Sequence, residues 1–232
     1  MSKNIAIILS GGTGTRIGGN VPKQYLEVNG KAIIMYCVET IAKMPEIEEM
    51  VICLADEWKA FVQEALEKAC ITKQVVFSMP GEVRQLTIYN ALKVLHEQGI
   101  EDDAVVVVHD AARPLVSEAL LRRCMEGCKD ADGVLPVLPV KDTLYMSKDG
   151  KSISALLKRS EIVAGQAPEA FRFGKYLTVH DQMNYDDILK ISGSTEIAYK
   201  AGLDIKLVPG EELNFKITTT EDLENLKHVL ER

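Results

Sequence analysis

Ile5-Ala6-Ile7-Ile8-Leu9-Ser10-Gly11-Gly12-Thr13-Gly14-Thr15-Arg16-Ile17-Gly18 joins an apolar run directly to a glycine-rich loop. A continuous apolar run without in/out alternation suits a strand buried on both faces of a mostly parallel sheet. Similar runs recur at 49–54, 74–78 and 104–108, and helical patterns at 32–43, 57–69 and 86–96 fall between them. Alternating strands and helices predict a three-layer α/β architecture with right-handed crossovers. In such a sheet ligands bind beyond the carboxyl ends of the strands, which is where this loop falls. The rhythm breaks at 135–166. There Asp149-Gly150 stands between two short strand-like segments and predicts a hairpin inserted at about 139–165. A further strand at 204–208 and a closing helix at 220–232, with Thr220 as its N-cap, complete the chain.

The 232 residues are 47% apolar and 26% charged, with a net charge of −7. This composition supports a packed core and predicts one domain spanning 1–232. The acidic balance argues against nucleic acid as a partner. No apolar run approaches the roughly 18 residues of a membrane span. The run at 5–9 is too short for a signal peptide, so a cytoplasmic protein that does not engage membranes is expected. The five cysteines are read as buried, small apolar residues.

Glycines let backbone N–H groups approach an anion closely, and Arg16 and Lys23 add two fixed positive charges nearby. The loop lacks the Gly-Lys-Ser/Thr ending of a P-loop. It also lacks the third glycine of a dinucleotide fingerprint, since Ile17 stands there. Phosphate binding is the function this combination predicts. His109 reads as a packed histidine rather than a base.

Gly11 to Arg16 followed by Pro22-Lys23-Gln24-Tyr25 resembles the signature of the cytidylyltransferases that make CDP-activated polyol phosphates. The resemblance continues in Gly81-Glu82-Val83-Arg84-Gln85-Leu86-Thr87 and in His109-Asp110-Ala111-Ala112-Arg113-Pro114. Pro139-Val140-Lys141-Asp142-Thr143 and Asn214-Phe215-Lys216-Ile217-Thr218 extend it to nearly the whole chain. It implies a Rossmann-like nucleotidyltransferase fold with an inserted β-hairpin arm. The implied reaction moves CMP from CTP to a polyol phosphate and releases pyrophosphate. The motif wording favours 2-C-methyl-D-erythritol 4-phosphate as acceptor, hence isoprenoid precursor synthesis. Ribitol 5-phosphate or another alditol or sugar phosphate, for cell-surface polymer synthesis, is the alternative acceptor, and a non-catalytic nucleotide-binding domain the remote alternative.

By the same resemblance, Arg16 and Lys23 stabilise the transition state. Ser10, Gly11, Gly12, Thr13, Gly14, Thr15, Gly81, Arg84, Thr87, Asp110 and Ala111 hold the nucleotide. Arg113, Thr143, Arg159 and Lys216 hold the acceptor, Asp110 holds Mg²⁺, and the arm builds a homodimer. Two places depart from the family's wording. Ala167 and Glu169 replace a Thr and a Gln, and Ser192-Gly193-Ser194-Thr195-Glu196 stands where Thr-Asp-Glu-Ala is usual. Both departures are expected on the acceptor side.

Overall fold

The computed structural model describes residues 3–12 and 21–231. The chain opens with β1 (Asn4–Leu9) and, after a 3₁₀ turn at Lys23–Tyr25, a short antiparallel ribbon of β2 (Glu27–Val28) and β3 (Lys31–Ala32). Then come α1 (Ile33–Ala42), β4 (Glu49–Cys53), α2 (Asp56–Lys68), β5 (Gln74–Ser78) and α3 (Arg84–Glu97). β6 (Val105–Asp110), α4 (Glu118–Gly127) and β7 (Gly133–Pro139) follow. The insert carries β8 (Tyr145–Met146) and β9 (Ala155–Leu156), paired antiparallel, and returns through β10 (Val163–Gly165). The remainder is β11 (Glu169–Arg172), α5 (Phe173–Gln182), α6 (Tyr185–Ile188), α7 (Ser194–Lys200), β12 (Ile205–Pro209) and α8 (Thr220–Leu230).

The main sheet runs β5-β4-β1-β6-β11-β7, with β12 parallel to β7 along its opposite edge. β11 is antiparallel to both neighbours, and β10 pairs antiparallel with the last residues of β7. The sheet is therefore mixed, with its parallel part centred on β1. Leu9 is level with Asp110 of β6, which sets the glycine loop beside that carboxylate.

Residues of β1 alternate between two cores. Ala6 and Ile8 pack with Ile34, Val38 and Leu120 under α1, α2 and α4, while Ile5 and Ile7 pack with Leu92, Phe171 and Tyr176 under α3 and α5. Both faces of the strand are covered, so its apolar run is continuous rather than alternating. Val28, Ile33, Ile217 and Leu226 form a smaller cluster that seats α8.

Three expectations are corrected in detail. α8 is capped by Thr219, not Thr220: the Thr219 hydroxyl accepts from Asp222 N while Asp222 accepts from Thr219 N, a reciprocal capping box. Cys70 is exposed, because it ends α2 in the left-handed region with φ 52°. The other four cysteines are buried, and burial pushes their thiols up to about 12. β6 continues past 108 to Asp110, since pairing with Ile8 and Leu9 of β1 holds His109 and Asp110 in the sheet, beyond the last residue that β11 pairs, Val108.

His109 and His180 lie fully inside, and burial lowers both to about 4. The unfolded value is about 6.5, so the unfolded chain binds more protons between these limits. Stability is then fully present above about pH 6.5 and is lost as pH falls toward 4, by on the order of 3 kcal/mol per histidine. Melting temperature is expected to drop between about pH 7 and about pH 5, with a shallower drop in His180→Gln. A flat profile contradicts this.

Candidate active site

A cleft of about 410 Å³ opens at the carboxyl ends of β1 and β6. Its wall is built by Gly11 and Gly12, by Lys23, by the Gly81–Arg84 loop with Thr87 of α3, and by Asp110 and Lys216. Thr13, Gly14, Thr15 and Arg16 lie outside the described residues. Ser10 is buried beneath the loop, its hydroxyl 2.9 Å from that of Tyr25.

Local sequence explains how Lys23 reaches the cleft. Pro22, at φ −58°, precedes the 3₁₀ turn, whose two following side chains turn inward. Gln24 Nε2 donates to the carbonyls of Ser10 (2.8 Å) and Gly12 (2.7 Å), which ties the turn to the start of the glycine loop. The Tyr25 hydroxyl donates to Ser10 O at 3.0 Å, and its ring stacks on Trp58 at 4.4 Å. Gln24 was not among the sequence candidates, and neither was Glu82 on the cleft wall. The signal for Gln24 was its place inside Pro-Lys-Gln-Tyr; its partners are carbonyls, which no pattern displays.

Gly81 is required by close approach. A Cβ there would lie 2.3 Å from Leu86 Cβ and 2.7 Å from the Leu86 carbonyl carbon. Its N–H donates to Thr87 Oγ1 at 3.0 Å, so the loop and the first turn of α3 are locked together. Gly81→Ala should displace the turn that carries Arg84. A misplacement of about 1 Å can cost about 10²-fold in rate. At least about tenfold weaker binding of the anion that this cleft takes is expected, and unchanged affinity would contradict it.

Asp110 is the electrostatic centre. Among the described residues three cations surround it: Lys216 Nζ at 2.9 Å, Arg84 Nη2 at 3.1 Å and Arg113 Nε at 3.6 Å. Burial alone would raise its carboxyl, but Arg84, Lys216 and Arg113 outweigh burial and hold it far below the usual carboxylate range. It is therefore ionised throughout the physiological range. Arg84 begins α3, where the helix dipole disfavours a cation, and Asp110 and Glu169 offset that cost.

The cleft gathers Gly11, Gly12, Lys23, Gly81, Arg84, Thr87, Asp110 and Lys216 from the sequence candidates. Ala111 and Arg113 do not line it. Ala111 is buried, and Arg113 lies behind Asp110 with Nη1 donating to Asn214 O at 2.7 Å. Thr143 and Arg159 sit on the exposed insert, where Arg159 Nη1 donates to Lys141 O at 2.6 Å. Ala167 and Glu169 do not line the cleft either; the Ala167 carbonyl accepts from Asn214 Nδ2 at 2.6 Å.

A glycine loop at strand ends, with Lys and Arg arrayed around one ionised carboxylate, in a three-layer α/β fold, defines a nucleotidyltransferase-like protein. The chain belongs to the family IspD: 2-C-methyl-D-erythritol 4-phosphate cytidylyltransferase, whose model matches residues 4–232. It is thus a cytidylyltransferase acting in isoprenoid synthesis, with CTP as donor and 2-C-methyl-D-erythritol 4-phosphate as acceptor. A similar solved structure is the 2-C-methyl-D-erythritol 4-phosphate cytidylyltransferase of Francisella tularensis, at 26% identity and TM-score 0.81, covering 98% of this chain and 99% of that one. The bifunctional IspDF of Campylobacter jejuni is also 26% identical, with TM-score 0.77, over 96% of this chain and 54% of its own. The 4-diphosphocytidyl-2C-methyl-D-erythritol synthase of Anaerococcus prevotii shares the fold at TM-score 0.83 and 23% identity, over 100% and 97%.

Proposed function

We propose that the cleft centred on Asp110 is where CTP binds and reacts. The convergence of Lys23, Arg84 and Lys216 on one cleft beside the glycine loop carries this assignment. Gly11 and Gly12 present backbone N–H groups to the triphosphate, and Thr13, Gly14 and Thr15 are assigned to the same ligand. Gly81, Arg84 and Thr87 hold the nucleoside end. Lys216 marks the acceptor side.

The acceptor phosphate carries about −1.5 to −2 charge at pH 7 and needs no general base. One of its oxygens attacks the α-phosphorus of CTP, the bond to the β-phosphate oxygen breaks, and pyrophosphate leaves. The protein's task is to bring two polyanions together and stabilise charge at the reacting phosphorus. Lys23 and Arg16 are assigned to that charge.

Mg²⁺ suits this site. It is usually held by one or two carboxylates plus substrate phosphates and water. Asp110 supplies one ionised carboxylate at the cleft, and among the described residues no cluster of three His, Cys, Asp or Glu makes a closed protein cage. Asp110 would hold the ion, which when bound supplies charge neutralisation on the triphosphate.

The chain is proposed to work as one cytoplasmic domain and as a homodimer through the arm at 139–165. Ile153 and Leu156 on the arm are 68% and 66% exposed, which suits burial against a second copy. Thr143 and Arg159 lie on the same arm and are assigned to the acceptor site of the assembled dimer. Light scattering that returns a 25.6 kDa particle at working concentration overturns the dimer.

The test of the site is pyrophosphate release with CTP and Mg²⁺, run in parallel on 2-C-methyl-D-erythritol 4-phosphate and ribitol 5-phosphate. Release with the first and little with the second is expected. Release that persists when Lys23, Arg84 and Lys216 are each replaced by Ala moves the chemistry out of this cleft.

A further inference from the structure

Arg84 is gripped on two sides. Its Nε and Nη2 reach Asp110 Oδ1 at 3.3 and 3.1 Å on the cleft side. Its Nη1 points the other way, donating to Ser194 Oγ and lying 3.7 Å from Glu169 Oε2. Glu169 starts β11, level with Val108 of β6, and its side chain is 11% exposed. Its Oε1 accepts from Thr195 Oγ1 at 3.3 Å, and among the described residues its buried Oε2 has no hydrogen-bond donor. A carboxylate taken out of water is costly unless a cation compensates it, and here that cation is Arg84. Ser194 is held in turn: its carbonyl accepts from the Tyr176 hydroxyl at 2.9 Å, and that oxygen accepts from Gln85 Nε2 at 3.2 Å. Gln85 adjoins Arg84, so a loop of buried contacts closes through β11, α7, α5 and α3.

We infer that Glu169 and Ser194 are positioning residues for Arg84, fixing the guanidinium that the cleft presents to CTP. The inference rests on the assignment of Arg84 to the nucleotide. It moves both departures from the family wording from the acceptor side to the nucleotide side, because they meet on one side chain there. A planar, forked guanidinium has a single orientation when both its edges are engaged. Removing one grip leaves Arg84 charged and present but free to turn about its Asp110 contact. Neither Glu169 nor Ser194 lines the cleft, so neither acts by touching substrate.

Glu169→Gln preserves the size of the side chain and the acceptor for Thr195, and removes the charge. It is expected to raise KM for CTP about tenfold, the scale of one charge-assisted hydrogen bond. The kcat and the KM for 2-C-methyl-D-erythritol 4-phosphate should stay within about twofold. In an Arg84→Gln background the same substitution should add less than about twofold, because its effect passes through Arg84. Higher KM for the acceptor instead, unchanged kinetics, or an effect that multiplies with Arg84→Gln each overturns the inference. Should Glu169→Gln fail to fold by thermal melt, Ser194→Ala, which deletes one hydroxyl, carries the same pattern of outcomes. The parent enzyme is assayed first: silence there sinks the cleft assignment, whereas an active parent with an unaltered Glu169→Gln sinks only this inference.

Discussion

Lys23→Ala is expected to lower kcat by about 10²- to 10³-fold while KM for CTP changes little, the signature of a contact made mainly in the transition state. The neighbours of Lys23 make the substitution clean. Pro22 sets the turn, Gln24 is bonded to two loop carbonyls, and Tyr25 stacks on Trp58 and meets Phe61 edge to face. The 3₁₀ turn at 23–25 is therefore also held by side chains other than that of Lys23, so the turn should survive removal of the amine. Trp58 is the chain's one tryptophan, and its stacking on Tyr25 makes intrinsic fluorescence a direct check that the turn is intact. Unchanged fluorescence with lost turnover and retained CTP binding supports the assignment. Lost CTP binding would place Lys23 among ground-state contacts, and retained turnover would remove it from the catalytic machinery.

Much of the fold was legible because its central parallel strands β1, β4 and β6 are buried on both faces and read as apolar runs separated by helical periodicity. The edge strand β5 was legible from the shorter run Val75-Val76-Phe77. The β8–β9 hairpin was legible from Asp149-Gly150: Gly150 has φ +69°, and Asp149 accepts from the N–H groups of Lys151 and Ser152, each at 2.9 Å. What escaped is what depends on distant partners. Glu169–Arg172 is too short to read as a strand, and nothing local announces that it inserts antiparallel between β6 and β7. The apolar run reads as ending at Val108, where polar residues follow, yet pairing with β1 keeps His109 and Asp110 in the sheet. The site divides in the same way. Glycines and cations that line the cleft were visible as motifs. Arg113, a cation in the same motif, is drawn back to Asp110 and the Asn214 carbonyl, a contact that sequence spacing does not encode.

Asp110→Asn should be the most disruptive single change at this site, and its cause is charge rather than size. The substitution nearly preserves shape but leaves Arg84, Arg113 and Lys216 together without their anion. Breaking a buried ion pair by removing one partner costs about 3–5 kcal/mol. For a chain of this size that corresponds to a melting temperature lower by roughly 6–20 °C. Turnover should fall by about 10²-fold or more, since Arg84 and Lys216 lose their orientation together. Mild acid is no substitute for this mutation. The three cations keep Asp110 ionised well below pH 4, so acid acts on the two buried histidines first. A second readout separates charge from packing. With its anion gone, the cationic cluster should bind inorganic pyrophosphate more favourably, so pyrophosphate should raise the melting temperature of Asp110→Asn more than that of the parent. Equal stabilisation of both proteins would mean that Asp110 contributes packing and geometry, and that its charge is not what holds the three cations in place.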